Sequence, residues 1–193
     1  MVELMLVGGK RMLPFKSVEE VLWAVFDVAE HKRVSFRSRI QQLQKLRLPW
    51  GVNVGRGGRA LYSIQQVLEM MLYFDLFEAG VSPSALAAQF EHDPWFKRTD
   101  RFTQAVEQMQ SGLVLVYHQN GLQHFRDDAR VGGVTEASDR SMVYASPNDP
   151  KIRKEWLRFP KPRPLIQIYI SRRMDDLFQA AGINAAEALA SAE

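Results

Sequence analysis

Between Glu30 and Glu69 the chain carries eight Lys or Arg and no Asp or Glu. They are Lys32, Arg33, Arg37, Arg39, Lys45, Arg47, Arg56 and Arg59. The formal net charge of the 193 residues is only +3, so this one-signed block stands against a nearly balanced remainder. A local positive field suits a polyanion, and nucleic acid is the commonest one. The plain alternative is a solvated basic face without a partner. Residues 36–46 sharpen the reading. At about 100° per residue, Phe36, Ile40, Leu43 and Leu46 form an inner stripe. Arg37, Ser38, Gln41, Gln42 and Lys45 fall on the opposite face. Arg pairs bidentately with guanine in the major groove, and Gln with adenine. Arg39 falls near the edge of the core and is expected to reach a phosphate or an acidic neighbour.

Other chemistry-bearing residues give less. The chain has four histidines. His118 and His124 flank Asn120-Gly121, a dipeptide that suits a tight hairpin joining a strand up to Tyr117 with a return over Leu122 to Phe125. In that hairpin His118 opposes Gln123, and the two histidines point to opposite faces, which speaks against a shared metal. His31 and His92 are expected at the surface. Asp175-Asp176 are neighbours on a helix and do not face each other. Asp127-Asp128 has no identifiable partner. No nucleophile lies at recognisable spacing from a base, and Gly55-Arg56-Gly57-Gly58 lacks the Lys-Ser/Thr of a phosphate-binding loop. The expectation is a non-enzyme without metal or cofactor. Lys151 to Arg163 is a second basic run, with Trp156 and Phe159. It could grip phosphates or stack on an unpaired base, or be a solvated arm.

Composition sets the outer bounds. A hydrophobic fraction of 46% is ordinary for a globular protein. There is no cysteine, which excludes disulfides, zinc–thiolate sites and thiol catalysis. No apolar run approaches the ~18 residues of a membrane span. Met1 to Phe15 lacks the pattern of a signal peptide. A soluble, cytoplasmic, nucleoid-associated protein with no membrane partner is expected.

Local signals place the elements. Leu4 to Val7, Gly8-Gly9 and Lys10 to Leu13 suit a small hairpin or a loose arm. Ser17 and Glu20 form an S-x-x-E capping box, and the apolar spacing from Val18 predicts a helix to about His31. Ser35 opens the next helix and Leu48-Pro49 stops it. Residues 51–59 hold four glycines and predict an exposed turn. Ala60-Leu61-Tyr62 reads as a strand. Ser63 and Gln66 cap a long helix ended by Gly80, and Ser82-Pro83 starts another. A further helix is expected from Asp93-Pro94 to about Met109. Strands are expected over Leu113 to Tyr117 and Ile166 to Ile170, with Ser141 to Ala145 as a candidate. A helix is expected from Arg172 to Ala181, stopped by Gly182, and Asn184 with Glu187 can cap a last one. The fold class is mostly α with small β (α+β). Two units follow: residues 15–92, helical with a glycine-rich wing, and a mixed domain 93–193 with a long loop over 126–164. The helix from Ile64 to Ala79 is apolar on more than one side and should cover the second unit or a second subunit.

Val34-Ser35-Phe36-Arg37-Ser38, leading to Leu46-Arg47-Leu48-Pro49, resembles the recognition helix and exit of the mercury-resistance-regulator (MerR) superfamily. Gly58-Arg59-Ala60-Leu61-Tyr62-Ser63 resembles that family's wing and following strand, and Val81-Ser82-Pro83-Ser84-Ala85-Leu86 its next short helix. The resemblance covers about residues 18–90. It implies a winged helix-turn-helix, with helix 36–46 in the major groove and wing 51–59 on the backbone or minor groove. By position Arg37 matches the family's DNA-contacting arginine and Tyr62 the tyrosine closing the wing. Gln41 and Gln42 stand where the family often has aromatics, and Ala60 where it usually has arginine; Arg56 and Arg59 could take over that contact. The expected DNA-binding set is Arg37, Ser38, Gln41, Gln42, Lys45, Asn53, Arg56, Arg59 and Tyr62. The expectation is a bacterial-type transcriptional regulator binding double-stranded DNA as a homodimer on two half-sites. The second unit would carry dimerisation, a small-molecule ligand or a protein contact. The alternatives are a DNA-architectural or recombination accessory factor, and a protein-interaction module using the basic face.

Overall fold

Gly8 takes a left-handed backbone (φ 59°) that an L side chain resists, and the chain reverses there. The computed structural model describes residues 2–8, 10–49, 51–52, 60–90, 106, 114–118, 142–145 and 165–190. Strand β1 (Met5–Val7) pairs antiparallel with β2 (Lys10–Pro14), Val7 opposite Lys10. Of the hairpin and the loose arm, the chain adopts the hairpin. Strand β3 (Leu61–Ser63) adds to the other side of β2, Leu13 opposite Tyr62.

Helix α1 (Phe15–Val25) starts straight out of β2, with extended Pro14 as its cap. The expected capping box at Ser17 and Glu20 is corrected. Ser17 lies inside the helix, buried, and its hydroxyl accepts the amide of Glu3 at 3.0 Å. The expected end near His31 is also corrected: Asp27 turns left-handed (φ 46°) and a separate 3-10 turn covers Glu30–Lys32. Helix α2 (Arg33–Lys45) follows and begins two residues before Ser35. Helix α3 (Ile64–Glu78) carries the expected capping box, Ser63 and Gln66 each bonding the other's backbone amide. Helix α4 (Pro83–Phe90) begins on its proline.

Four helices end by one device. In α1, α2, α3 and a later helix α5 (Ile170–Ala181), the residue two past the last helical residue or directly after it turns left-handed. These residues are Asp27, Arg47, Gly80 and Gly182. The next amide then reaches back to the carbonyl five residues earlier: Val28 to Trp23, Leu48 to Leu43, Val81 to Leu76 and Ile183 to Phe178, at 2.9–3.0 Å. This is the Schellman closure, and an apolar residue after the turn folds onto the helix.

Strand β4 (Val114–His118) lies between β5 (Met142–Ala145) and β6 (Leu165–Tyr169), antiparallel to both. Met142–Ala145 is therefore a strand, as its sequence suggested. His118 pairs with Leu165. Both edges of β4 are occupied, and the expected return strand 122–125 lies outside the described residues, as do most of helix 93–109 and the basic run 151–163. Helix α5 follows β6, and α6 (Ala185–Ala190) is capped by reciprocal bonds between Asn184 and Glu187 at 2.9 and 3.0 Å.

Among the described residues, side chains from before and after residue 92 share one buried cluster. Helix α5 packs on α1 and α3. Ile170, Met174 and Leu177 are fully buried in the cluster that holds Leu13, Val21, Leu22 and Leu68. Arg173 of α5 binds Asp75 of α3 through Nε at 2.8 Å and through Nη2, and lies over the Phe26 ring at 4.9 Å. Arg11 of β2 meets Glu187 of α6 at 2.7 Å. The second apolar side of α3 is thus covered by the chain's own helix α5. Burying both sides is worth about 1.5–3 kcal/mol for each large apolar side chain. Among the described residues no helix is long and apolar enough to cross a membrane.

Candidate nucleic-acid interface

Helix α2 is held by its inner stripe. Ile40 and Leu43 are fully buried, with Phe36 and Leu46 packed beside them. Phe36 stacks on Phe74 of α3, with centroids 4.7 Å apart, and meets Phe26 from the turn at 6.1 Å. Phe74 also meets Phe26 edge-on at 5.6 Å. Such offset and edge contacts fix relative geometry as well as burying area. At its far end α2 is pinned by Gln44, whose Nε2 donates to the Tyr62 hydroxyl on β3.

The opposite face is exposed and free of acids. It presents Arg37, Ser38, Gln41, Gln42 and Lys45, as the sequence predicted, together with Val34 and Arg39. Val34 is an apolar residue 77% exposed. Arg39 is exposed instead of lying at the core edge. Ser38 donates its hydroxyl to the Val34 carbonyl at 3.2 Å. Arg33 at the helix start lies over the Trp23 ring at 4.8 Å, which leaves its charge near the same face. Arg47, also exposed, closes the helix in its left-handed turn.

Two expected contacts change meaning. Tyr62 is completely buried, so it is a support for α2 and not a DNA contact. Its ring meets Phe15 at 6.5 Å, and burial raises its pKa against the lowering bond from Gln44. Arg37 is not a free side chain. Its Nε and Nη2 donate to the two oxygens of Glu19 on α1, the latter at 2.7 Å. The Glu19 side chain is 1% exposed and that of Arg37 48%. The Glu19 bond, then its charge, raise the pKa of Arg37. Sequence reasoning missed Glu19; the available signal was an acid directly after Val18 and three before Leu22, beside the apolar stripe of α1. Asn53, Arg56 and Arg59 lie outside the described residues.

His31 and Asp175 are exposed, and Asp176 accepts from Arg173 at 3.3 Å. Among the described residues no group of three His, Asp or Glu could hold a metal ion. Comparison with known proteins finds no matching family model, no matching curated protein and no matching solved structure. The MerR-like resemblance therefore rests on the sequence positions quoted above.

Proposed function

We propose that the protein is a sequence-specific double-stranded DNA-binding transcriptional regulator. In this reading α1, the turn 26–32 and α2 form a helix-turn-helix. Helix α2 enters the major groove, and residues 51–59, between α2 and β3, act as the wing on the backbone or minor groove. The observation that carries it is the exposed face of α2: arginine, glutamine, serine and lysine with no carboxylate, on a helix locked from behind by aromatic stacking. Long donors on a rigid helix are what base edges and phosphates require. A solvated helix with no partner does not require exclusion of acids over 38 consecutive residues, His31 to Leu68. Two copies on two half-sites complete the proposal.

The test is selection from a randomised DNA duplex pool near physiological salt, with sequencing of the retained fraction. An enriched motif, as an inverted repeat, supports a dimeric regulator. Retention without a motif, weakening steeply with salt, replaces this reading with the architectural one. No retention refutes DNA binding and points to an acidic protein partner for the basic face.

A further inference from the structure

Glu19 poses a physical question that packing alone does not answer. Its carboxylate sits among apolar side chains of α1 and is removed from water, which is unfavourable for a charge unless it is paired. The pairing with Arg37 meets that need, yet an apolar pair of similar volume would pack the site as well or better. What the pair supplies, and an apolar pair cannot, is a fixed orientation for a guanidinium at the surface.

We infer that Glu19 is a positioning residue that presents Arg37 to a guanine in the major groove. This rests on the DNA-binding reading above. The guanidinium has five N–H donors in a rigid plane. Nε and one hydrogen of Nη2 face Glu19. Among the described residues no group takes the outer edge, formed by Nη1 and the second Nη2 hydrogen, which is left for a ligand on the half-exposed side. Two parallel donors on that edge match two adjacent acceptors, and guanine N7 and O6 are such a pair. A phosphate offers similar acceptors but tolerates a mobile side chain. Arg37 is the fifth residue of α2, in the N-terminal part that contacts bases in helix-turn-helix proteins. Ser38 and Gln41 share its exposed face, so the guanine should be flanked by positions these residues read.

The experiment uses the full chain and the duplex motif that selection yields. Each guanine is replaced in turn by 7-deazaguanine, which lacks the N7 acceptor, and affinity is read by fluorescence anisotropy. At one guanine the replacement should weaken the wild type about tenfold. R37A should bind both duplexes equally, so the two losses do not add. R37K keeps the charge without the fork and should lose the same discrimination. E19Q should reduce discrimination at that guanine alone, leaving the other positions of the motif unchanged. Folding is checked by circular-dichroism melting. If E19Q does not fold, E19D, which keeps the charge and withdraws the carboxylate, takes its place. Indifference of the wild type to every replacement overturns the inference while leaving the DNA reading intact. So does a uniform loss in R37A with a shallower salt dependence, which marks a phosphate contact. So does full wild-type discrimination in the folded Glu19 variant. A wild type that selects no motif brings down the sequence-specific reading on which the inference rests.

Discussion

Glu69 should make the protein lose stability as the pH rises through neutrality. It lies on α3, 3% exposed, and accepts the hydroxyl of Tyr73 one turn later. Burial pushes its pKa up from 4.5 to about 7, against the opposing pull of the Tyr73 bond. The folded state therefore keeps a proton between about pH 4.5 and about 7 that the unfolded chain has released. Below that window the site costs no charge burial. As the pH rises through it, the unfolded chain gains by ionising while the folded state stays neutral, so stability falls until the buried carboxyl itself ionises near pH 7. The interval from 4.5 to about 7, at about 1.4 kcal/mol per pH unit, corresponds to about 3 kcal/mol. Glu69→Gln removes the titration and leaves an oxygen to accept from Tyr73. The assay is urea unfolding of both proteins at several pH values from about 5 to about 8.5. The stability of the variant minus that of the wild type should rise by about 2–3 kcal/mol across the series and level off above about pH 8. Taking the difference cancels the titration of every other group. A flat difference would falsify the reasoning, because it would mean that Glu69 ionises equally easily in both states.

Two further perturbations test the scaffold that holds α2. Arg47 closes α2 at φ 60°, where Gly80 and Gly182 close α3 and α5. Arg47→Gly relieves about 1–2 kcal/mol of left-handed strain and adds about 0.5–1 kcal/mol of unfolded-chain entropy. It should raise stability by about 0.5–1 kcal/mol in a thermal melt. A lower melting temperature contradicts the closure described here. Arg173→Met strips Asp75, whose side chain is 9% exposed, of its bidentate partner and should destabilise by about 3 kcal/mol. Adding Asp75→Asn should recover part of that loss; simple addition of the two losses in denaturant titrations would mean that the residues are not coupled.

The elements most legible in the sequence were those whose ends carry their own chemistry. Ser63 with Gln66 and Gly80 bounded α3 to within a residue, Gly182 marked the end of α5, and Asn184 with Glu187 marked the start of α6. In each case the signal residue bonds its own backbone neighbours, so the outcome does not depend on distant chain. Helix α1 shows the failure of the same logic. Ser17 and Glu20 have the spacing of a capping box, but Ser17's hydroxyl is taken by the amide of Glu3, and the helix begins at Phe15. Val28 and Ala29 continued the apolar spacing of α1, yet Asp27 had already left the helix.

The exposed face of α2 was likewise decided by the sequence. Phe36, Ile40, Leu43 and Leu46 recur at helical spacing, and only one face can turn inward, so Ser38, Gln41, Gln42 and Lys45 must point out. The role of Tyr62 was not decided there, because an aromatic with a hydroxyl suits a surface contact and a buried bond equally. Burial against Phe15, with Gln44 in reach of its hydroxyl, resolved it in favour of support. Three further features belong to tertiary structure alone. Helix α5 covers α3 across nearly a hundred residues of chain, β4 takes β5 and β6 as its two neighbours, and Glu19 grips Arg37 from another helix. Apolar periodicity tells a segment which face to bury, but carries no information about which partner buries it. That choice is made only when whole faces compete for one core, and it converted an arginine readable as a free contact into one that is held in place.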